Sequence, residues 1–71
     1  MAPQMWLYRK DEATFRTIQR STDEGVEVLV VGSTGDRAHH MFASGDEAMV
    51  FREGFETLLG QRGFRLTWMT R

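Results

Sequence analysis

The sequence predicts an α+β domain: a four-stranded antiparallel sheet with one amphipathic helix across one face and a short C-terminal strand or arm. Three observations predict it. β-branched, aromatic and aliphatic residues alternate with polar ones as far as Ala43, glycine-containing turns interrupt that alternation, and the period changes to a helical one after Ser44.

Each element follows in order. Residues 5–9, MWLYR, alternate in type and stop at Lys10-Asp11-Glu12, giving a short first strand that ends in a polar turn. Residues 14–22 are rich in β-branched and aromatic side chains and alternate basic with neutral ones, which makes a second strand. Asp23-Glu24-Gly25 is a turn, and residues 26–32 open with VEVLVV, the strongest β signal in the chain. Its near-continuous apolar character suits a central strand covered on both faces. Gly32-Ser33-Thr34-Gly35-Asp36 supplies a hairpin, and residues 37–43 return as a fourth strand. Ser44 then stands three residues before Glu47, the spacing of a reciprocal helix cap, with Asp46 adding negative charge where a helix dipole favours it. Ala48, Phe51, Phe55, Leu58 and Leu59 recur at helical spacing, so a helix runs over about 45–60, with Gly60 and Gly63 bracketing its end. The tail, 64–70, alternates again and reads as a final strand or extended arm.

All of this fits one small domain, 1–71. A chain of 71 residues buries only ~60% of the surface that it exposes unfolded, so its own core is marginal and a partner is expected. With no cysteine, neither a disulfide framework nor a cysteine zinc site can form, which fits a reducing compartment. The N-terminus lacks the charged and apolar pattern of a secretory signal, and no run approaches the ~20 apolar residues of a membrane span, so a cytoplasmic location is expected. Hydrophobic residues at 41% and charged residues at 27%, with one proline and seven glycines, describe a globular chain rather than a low-complexity one. Net charge is −1, which excludes a generally basic nucleic-acid-coating protein and leaves any anion site to local charge placement.

The residues that carry chemistry elsewhere have ordinary explanations here. The loop 32–35 opens into a strand rather than a helix and lacks the lysine and serine or threonine of a phosphate loop, so it is a hairpin turn. His39 and His40 are adjacent and on a strand point to opposite faces, so they cannot chelate one metal together; no metal and no cofactor is expected. One histidine is expected in or near the core and the other exposed. Ser21, Ser33 and Ser44 sit at turns or caps, as do most of the acids, and no convergent pair marks an active site, so the chain is read as a binding module rather than an enzyme.

Charge divides unevenly between strands and turns. Within the four strands the charged residues are Arg9, Arg16, Arg20, Arg37 and Glu27, while the turns hold nearly all the acids of this half. We assign Leu7, Phe15, Val28, Val30 and Phe42 to the helix-facing side. Alternation then puts Trp6, Tyr8, Lys10, Arg16, Ile18, Arg20, Arg37, His39 and Met41 on the other. The parity of one strand against another is assumed, since a one-residue slip exchanges its faces. A face mixing aromatics with bases suits single-stranded nucleic acid, at ~1–3 kcal/mol per stacked base. Trp6 and Tyr8 would be the platforms, Lys10, Arg16, Arg20 and Arg37 the phosphate contacts, and His39 a further contact with phosphate or base. The alternative is a protein–protein or homo-oligomerisation module without nucleic-acid activity, burying Trp6, Ile18, Val31 and Trp68 against another chain. A homodimer is expected in either case.

Three short segments carry a loose resemblance that spans residues 15–64. VVGSTG stands where the WGR domain has its tryptophan-glycine-arginine turn and a second glycine, MFASGDEAMVF where it has a phenylalanine, a small cap and an acidic-alanine helix start, and QRGF where it has a basic-glycine-tyrosine close. The chain is similar in layout to that family, a module of antiparallel strands and one helix found in DNA-damage-responsive ADP-ribosyltransferases and in many bacterial proteins. Val31 occupies the tryptophan position and Ser33 the arginine position, both among the family's usual DNA contacts. Only Gly32 and Gly35 carry over, as turn-formers. In architecture alone the chain also resembles the PUR repeat and the Whirly-type single-strand binders, which use an open sheet face and often pair up.

Overall fold

The computed structural model describes residues 2–70, and among them five strands and one helix. These are β1 (Gln4–Lys10), β2 (Ala13–Thr22), β3 (Gly25–Gly32), β4 (Arg37–Phe42), α1 (Gly45–Gln61) and β5 (Arg65–Met69). The class is α+β with an antiparallel sheet, as expected, but the tail is a full fifth strand rather than an appendage to four. The strand order is β4-β3-β2-β1-β5. The first four strands form a meander of hairpins, and α1 then carries the chain back across the sheet so that β5 pairs antiparallel with β1. Thr70 extends this closure: its N–H donates to the Met5 carbonyl at 2.9 Å, and its hydroxyl accepts from the Met5 N–H at 3.0 Å. The β1–β5 register passes from Leu7↔Trp68 to Tyr8↔Leu66, leaving Thr67 as one extra residue in a bulge.

The helix starts as its sequence dictates. Ser44 is extended and its hydroxyl accepts from the Glu47 N–H at 3.2 Å, while the Glu47 carboxylate accepts from the Ala43 N–H at 3.1 Å. Both bonds satisfy amides that the first turn cannot bond internally. At the far end Arg62, Gly63 and Phe64 donate back to Leu59 and Gly60, so the chain leaves the helix with its last carbonyls bonded.

The inner layer between sheet and helix is aromatic. Trp6, Tyr8 and Leu59 form its buried centre, with Phe15, Phe55 and Phe64 packed around them. Phe15 meets Phe55 and Phe64 edge to face at 5.8 and 5.3 Å between centroids, an arrangement that aromatic quadrupoles favour. His40 lies on this same side, its ring 4.6 Å from Phe51, whereas His39 points to the opposite side. Gly32 stands where a Cβ would come within 2.8 Å of the Phe15 ring, so a side chain there would displace the core.

One assignment of faces is corrected. Trp6 and Tyr8 pair with Thr17 and Phe15 and lie under the helix, only 6% and 1% exposed, while Leu7 faces outward. The physical reason is that α1 gives both aromatics polar partners. The Arg52 guanidinium sits 4.0 Å over the Trp6 ring, and the Tyr8 hydroxyl donates to Glu56 Oε2 at 2.6 Å. Burial, reinforced by that carboxylate, pushes the Tyr8 phenol well above its ordinary pKa.

Candidate functional site

The helix covers one face of the sheet, and the register defines what the other carries. One row across the strands is Met5, Ile18, Leu29 and His39; the next is Leu7, Arg16, Val31 and Arg37, with Trp68 beside Leu7. Arg20, Glu27 and Met41 form a third row at one end, and Arg9 with Arg65 lies at the other. Met5, Leu7, Ile18, Leu29 and Val31 are half-buried by their neighbours and make an aliphatic strip through the centre. The arginines and His39 stand exposed around it. Trp68, at the β5 edge, is 51% exposed.

Near the β3–β4 side this face dips into a shallow depression of about 530 Å³, with Ile18 and Leu29 at its floor and Arg20, Glu27, Arg37 and His39 around it. Glu27 organises that rim. Its carboxylate accepts from Arg20 Nε at 2.6 Å and meets His39 Nε2 at 2.6 Å through its other oxygen. The hydrogen bond from His39, and then that from Arg20, hold the Glu27 carboxyl below the usual carboxylate range. Among the described residues these are the ion pairs, and Arg9, Arg16, Arg37 and Arg65 have no carboxylate in reach.

Charge is therefore segregated by layer. The open face carries five arginines, Arg9, Arg16, Arg20, Arg37 and Arg65, against Glu27 among the described residues, in a chain whose net charge is −1. The compensating acids lie on α1 and in the turns: Asp46, Glu47, Glu53 and Glu56 on the helix, and Asp11, Glu12, Asp23, Glu24 and Asp36 between strands. A positive potential over one side of a nearly neutral molecule orients an anionic partner before contact.

Of the residues singled out from sequence, the structure brings Arg16, Arg20, Arg37 and His39 together on the open face. It removes Trp6 and Tyr8 to the core. Lys10, at the end of β1, turns toward the end of α1, where its side chain passes 3.3 Å from the point a Cβ on Gly63 would occupy. Leu7 and the Glu27 clamp were missed. The first belongs to the reversed parity of β1; the second was legible as a lone acid among strand bases.

The glycine loop is a turn in which the Gly32, Ser33 and Gly35 amides are already engaged. Gly32 N–H donates to the Asp36 carbonyl at 2.7 Å, Gly35 N–H to that of Gly32 at 3.1 Å, and Ser33 N–H to that of Thr14 at 2.9 Å, with Gly35 at φ 96°. Such a loop offers no free nest of N–H groups to a phosphate. Among the described residues no group of three or more His, Asp or Glu side chains is placed to hold a metal ion, and no helix is long and apolar enough to cross a membrane. No protein-family model, curated protein or solved structure matches this chain.

Proposed function

We propose that the chain is a protein-docking module that seats an acidic, amphipathic segment of a partner on its open sheet face. The observation that carries this reading is the aliphatic strip Met5, Leu7, Ile18, Leu29 and Val31 with cationic side chains around it. An apolar centre, a polar rim and a high share of arginine are the anatomy of protein interfaces. Base stacking needs aromatic rings at the centre of the surface, and the two that sequence offered lie beneath the helix. The rim charge selects an anionic partner, and the strip supplies apolar area to bury.

Titration of Trp68 fluorescence tests it, because Trp6 is enclosed beneath Arg52 and contributes a constant background. The probes are two synthetic amphipathic helices with the same leucine stripe, one flanked by glutamates and one by lysines, and an oligo(dT) strand. The expected result is a saturable blue shift with the glutamate peptide, abolished by Ile18→Glu, and none with the lysine peptide. Equal response to both peptides, or to neither, overturns the reading.

Single-stranded nucleic acid is the second reading, favoured by the arginine excess on the same face. It is supported if oligo(dT) binds with a salt slope of roughly −0.7 per phosphate contacted and if Arg16→Ala with Arg20→Ala flattens that slope. Trp68 would then be the stacking ring.

A further inference from the structure

Given the docking reading, on which this inference rests, we propose that the partner is a helix held at two points: an aromatic side chain seated in the depression, and a carboxylate four residues away gripped between Arg16 and Arg37.

The cations of the open face are not equivalent. Arg20 and His39 each meet the Glu27 carboxylate at 2.6 Å, so that corner carries its own counter-ion. Arg16 and Arg37 both pair with Val31, one from each side, are exposed, and among the described residues have no carboxylate in reach. Adjacent strands lie ~4.8 Å apart, which puts the two arginine Cα atoms ~10 Å apart. Two arginine side chains leaning over Val31 close that span. Neighbouring guanidinium groups repel each other, and a carboxylate between them replaces the repulsion with charge-assisted hydrogen bonds from both.

The depression begins one row away. Its floor is Ile18 and Leu29, with Arg20, Arg37 and His39 around it, and at about 530 Å³ it has room for a whole aromatic ring. An apolar floor under a cationic rim suits a ring better than an aliphatic chain. The ring buries apolar area below and offers its negative faces to the guanidinium groups. Aromatic anchors in such depressions carry much of the energy of an interface.

The spacing says what else the partner carries. Leu29 and Val31 are two residues apart on β3, which separates the ring site from the carboxylate site by ~6.7 Å. Side chains four residues apart on one face of a helix are ~6 Å apart along its axis. A helix lying along β3 therefore meets both sites at once when it has an aromatic residue at one position and an acid four positions on. The opposite direction along β3 leads from Leu29 to Glu27, which repels an acid there.

Calorimetric titration with three helical peptides tests the assignment. The first has the leucine stripe of the docking test with one leucine replaced by phenylalanine, and a single glutamate four residues from it. The second has glutamine for that glutamate, and the third has alanine for the phenylalanine. The wild type is expected to bind the second and third about tenfold more weakly than the first. In Arg16→Ala and in Arg37→Ala the preference for glutamate over glutamine is expected to fall to about twofold or less, while Arg20→Ala keeps it. All three arginines are exposed, so the variants are expected to fold, and melting curves check that they do. A glutamate preference that survives either Arg16→Ala or Arg37→Ala, or that disappears in Arg20→Ala, overturns the proposal and leaves the docking reading standing. Equal binding of the first and third peptides does the same. If no peptide binds, whether or not oligo(dT) does, the docking reading falls and takes this proposal with it.

Discussion

Replacing Tyr8 by phenylalanine tests the inner layer and, with it, which side of β1 faces the partner. Tyr8 is the sole tyrosine in the sequence, so its ionisation can be followed without interference. Its hydroxyl donates to the Glu56 carboxylate at 2.6 Å. Hydrogen bonds to charged groups contribute ~1.5–3 kcal/mol. Glu56 is half-buried, so water replaces part of the lost bond, and the lower end of that range applies. The expected loss is about 1.5–2 kcal/mol, which in a domain of this size lowers Tm by about 6–16 °C. The pH dependence has a definite sign. A phenol whose pKa is raised in the folded state holds its proton there while the unfolded chain releases one. Its contribution is complete below the ordinary value of about 10 and is lost as pH rises above it toward the raised value. The assay is ultraviolet absorbance of the phenolate, followed with urea midpoints from pH 7 into the alkaline range. In the wild type the phenolate should appear together with unfolding, and Tyr8→Phe should lack that part of the alkaline loss. A folded protein whose tyrosine titrates at its ordinary value, with a phenylalanine variant equal in stability, would refute burial of Tyr8. It would turn both aromatics back toward the open face.

Two further outcomes are expected. Glu27→Gln should free Arg20 and His39 and flatten the acid limb of stability, because a lowered carboxyl contributes above its ordinary pKa and loses that contribution as pH falls through the folded value; parallel wild-type and variant urea midpoints between pH 7 and 3 would contradict the clamp. Ser44→Ala should cost about 1 kcal/mol, or roughly 4–8 °C of Tm, by leaving the Glu47 N–H without its cap, and an unchanged melting curve would mean that water replaces the hydroxyl fully.

Much of the fold was legible because its signals are local. The hairpins at residues 23–25 and 32–36 announce themselves in turn residues, and Ser44 with Glu47 announces the helix in four positions. The opposite directions of His39 and His40 follow from strand geometry alone. What escaped was decided at a distance. In MWLYR both faces are apolar, so alternation cannot choose between Trp6 with Tyr8 and Met5 with Leu7. The choice falls to Arg52 and Glu56, more than forty residues away, as the bond from Tyr8 to Glu56 spans 48 positions. The fifth strand was legible as one of two alternatives, a final strand or an extended arm, and its place in the sheet escaped for the same reason. Its partner is β1, and residues 64–70 read equally well as a loose arm until that pairing is known. On the candidate face, the arginines survived the misreading because β2, β3 and β4 were in correct parity, and the aromatic platforms were lost because β1 was not.

The placement of β5 has a consequence for how the chain acquires its structure. β1 is made first and β5 last among the strands, yet they are neighbours, and just past β5 the Thr70 N–H donates to the Met5 carbonyl across 65 positions. Contacts so far apart in sequence must meet the entropy of closing the whole chain before they contribute anything, and sheets built this way fold slowly, on the millisecond-to-second scale. During synthesis the meander of β1 to β4 is complete while β1 still has a bare side. The apolar row that β5 will shield is then available to any other strand. A second copy of β5, arriving in trans, would satisfy that vacancy with the sequence evolved to fill it, so crowded synthesis favours chains exchanging their last strand.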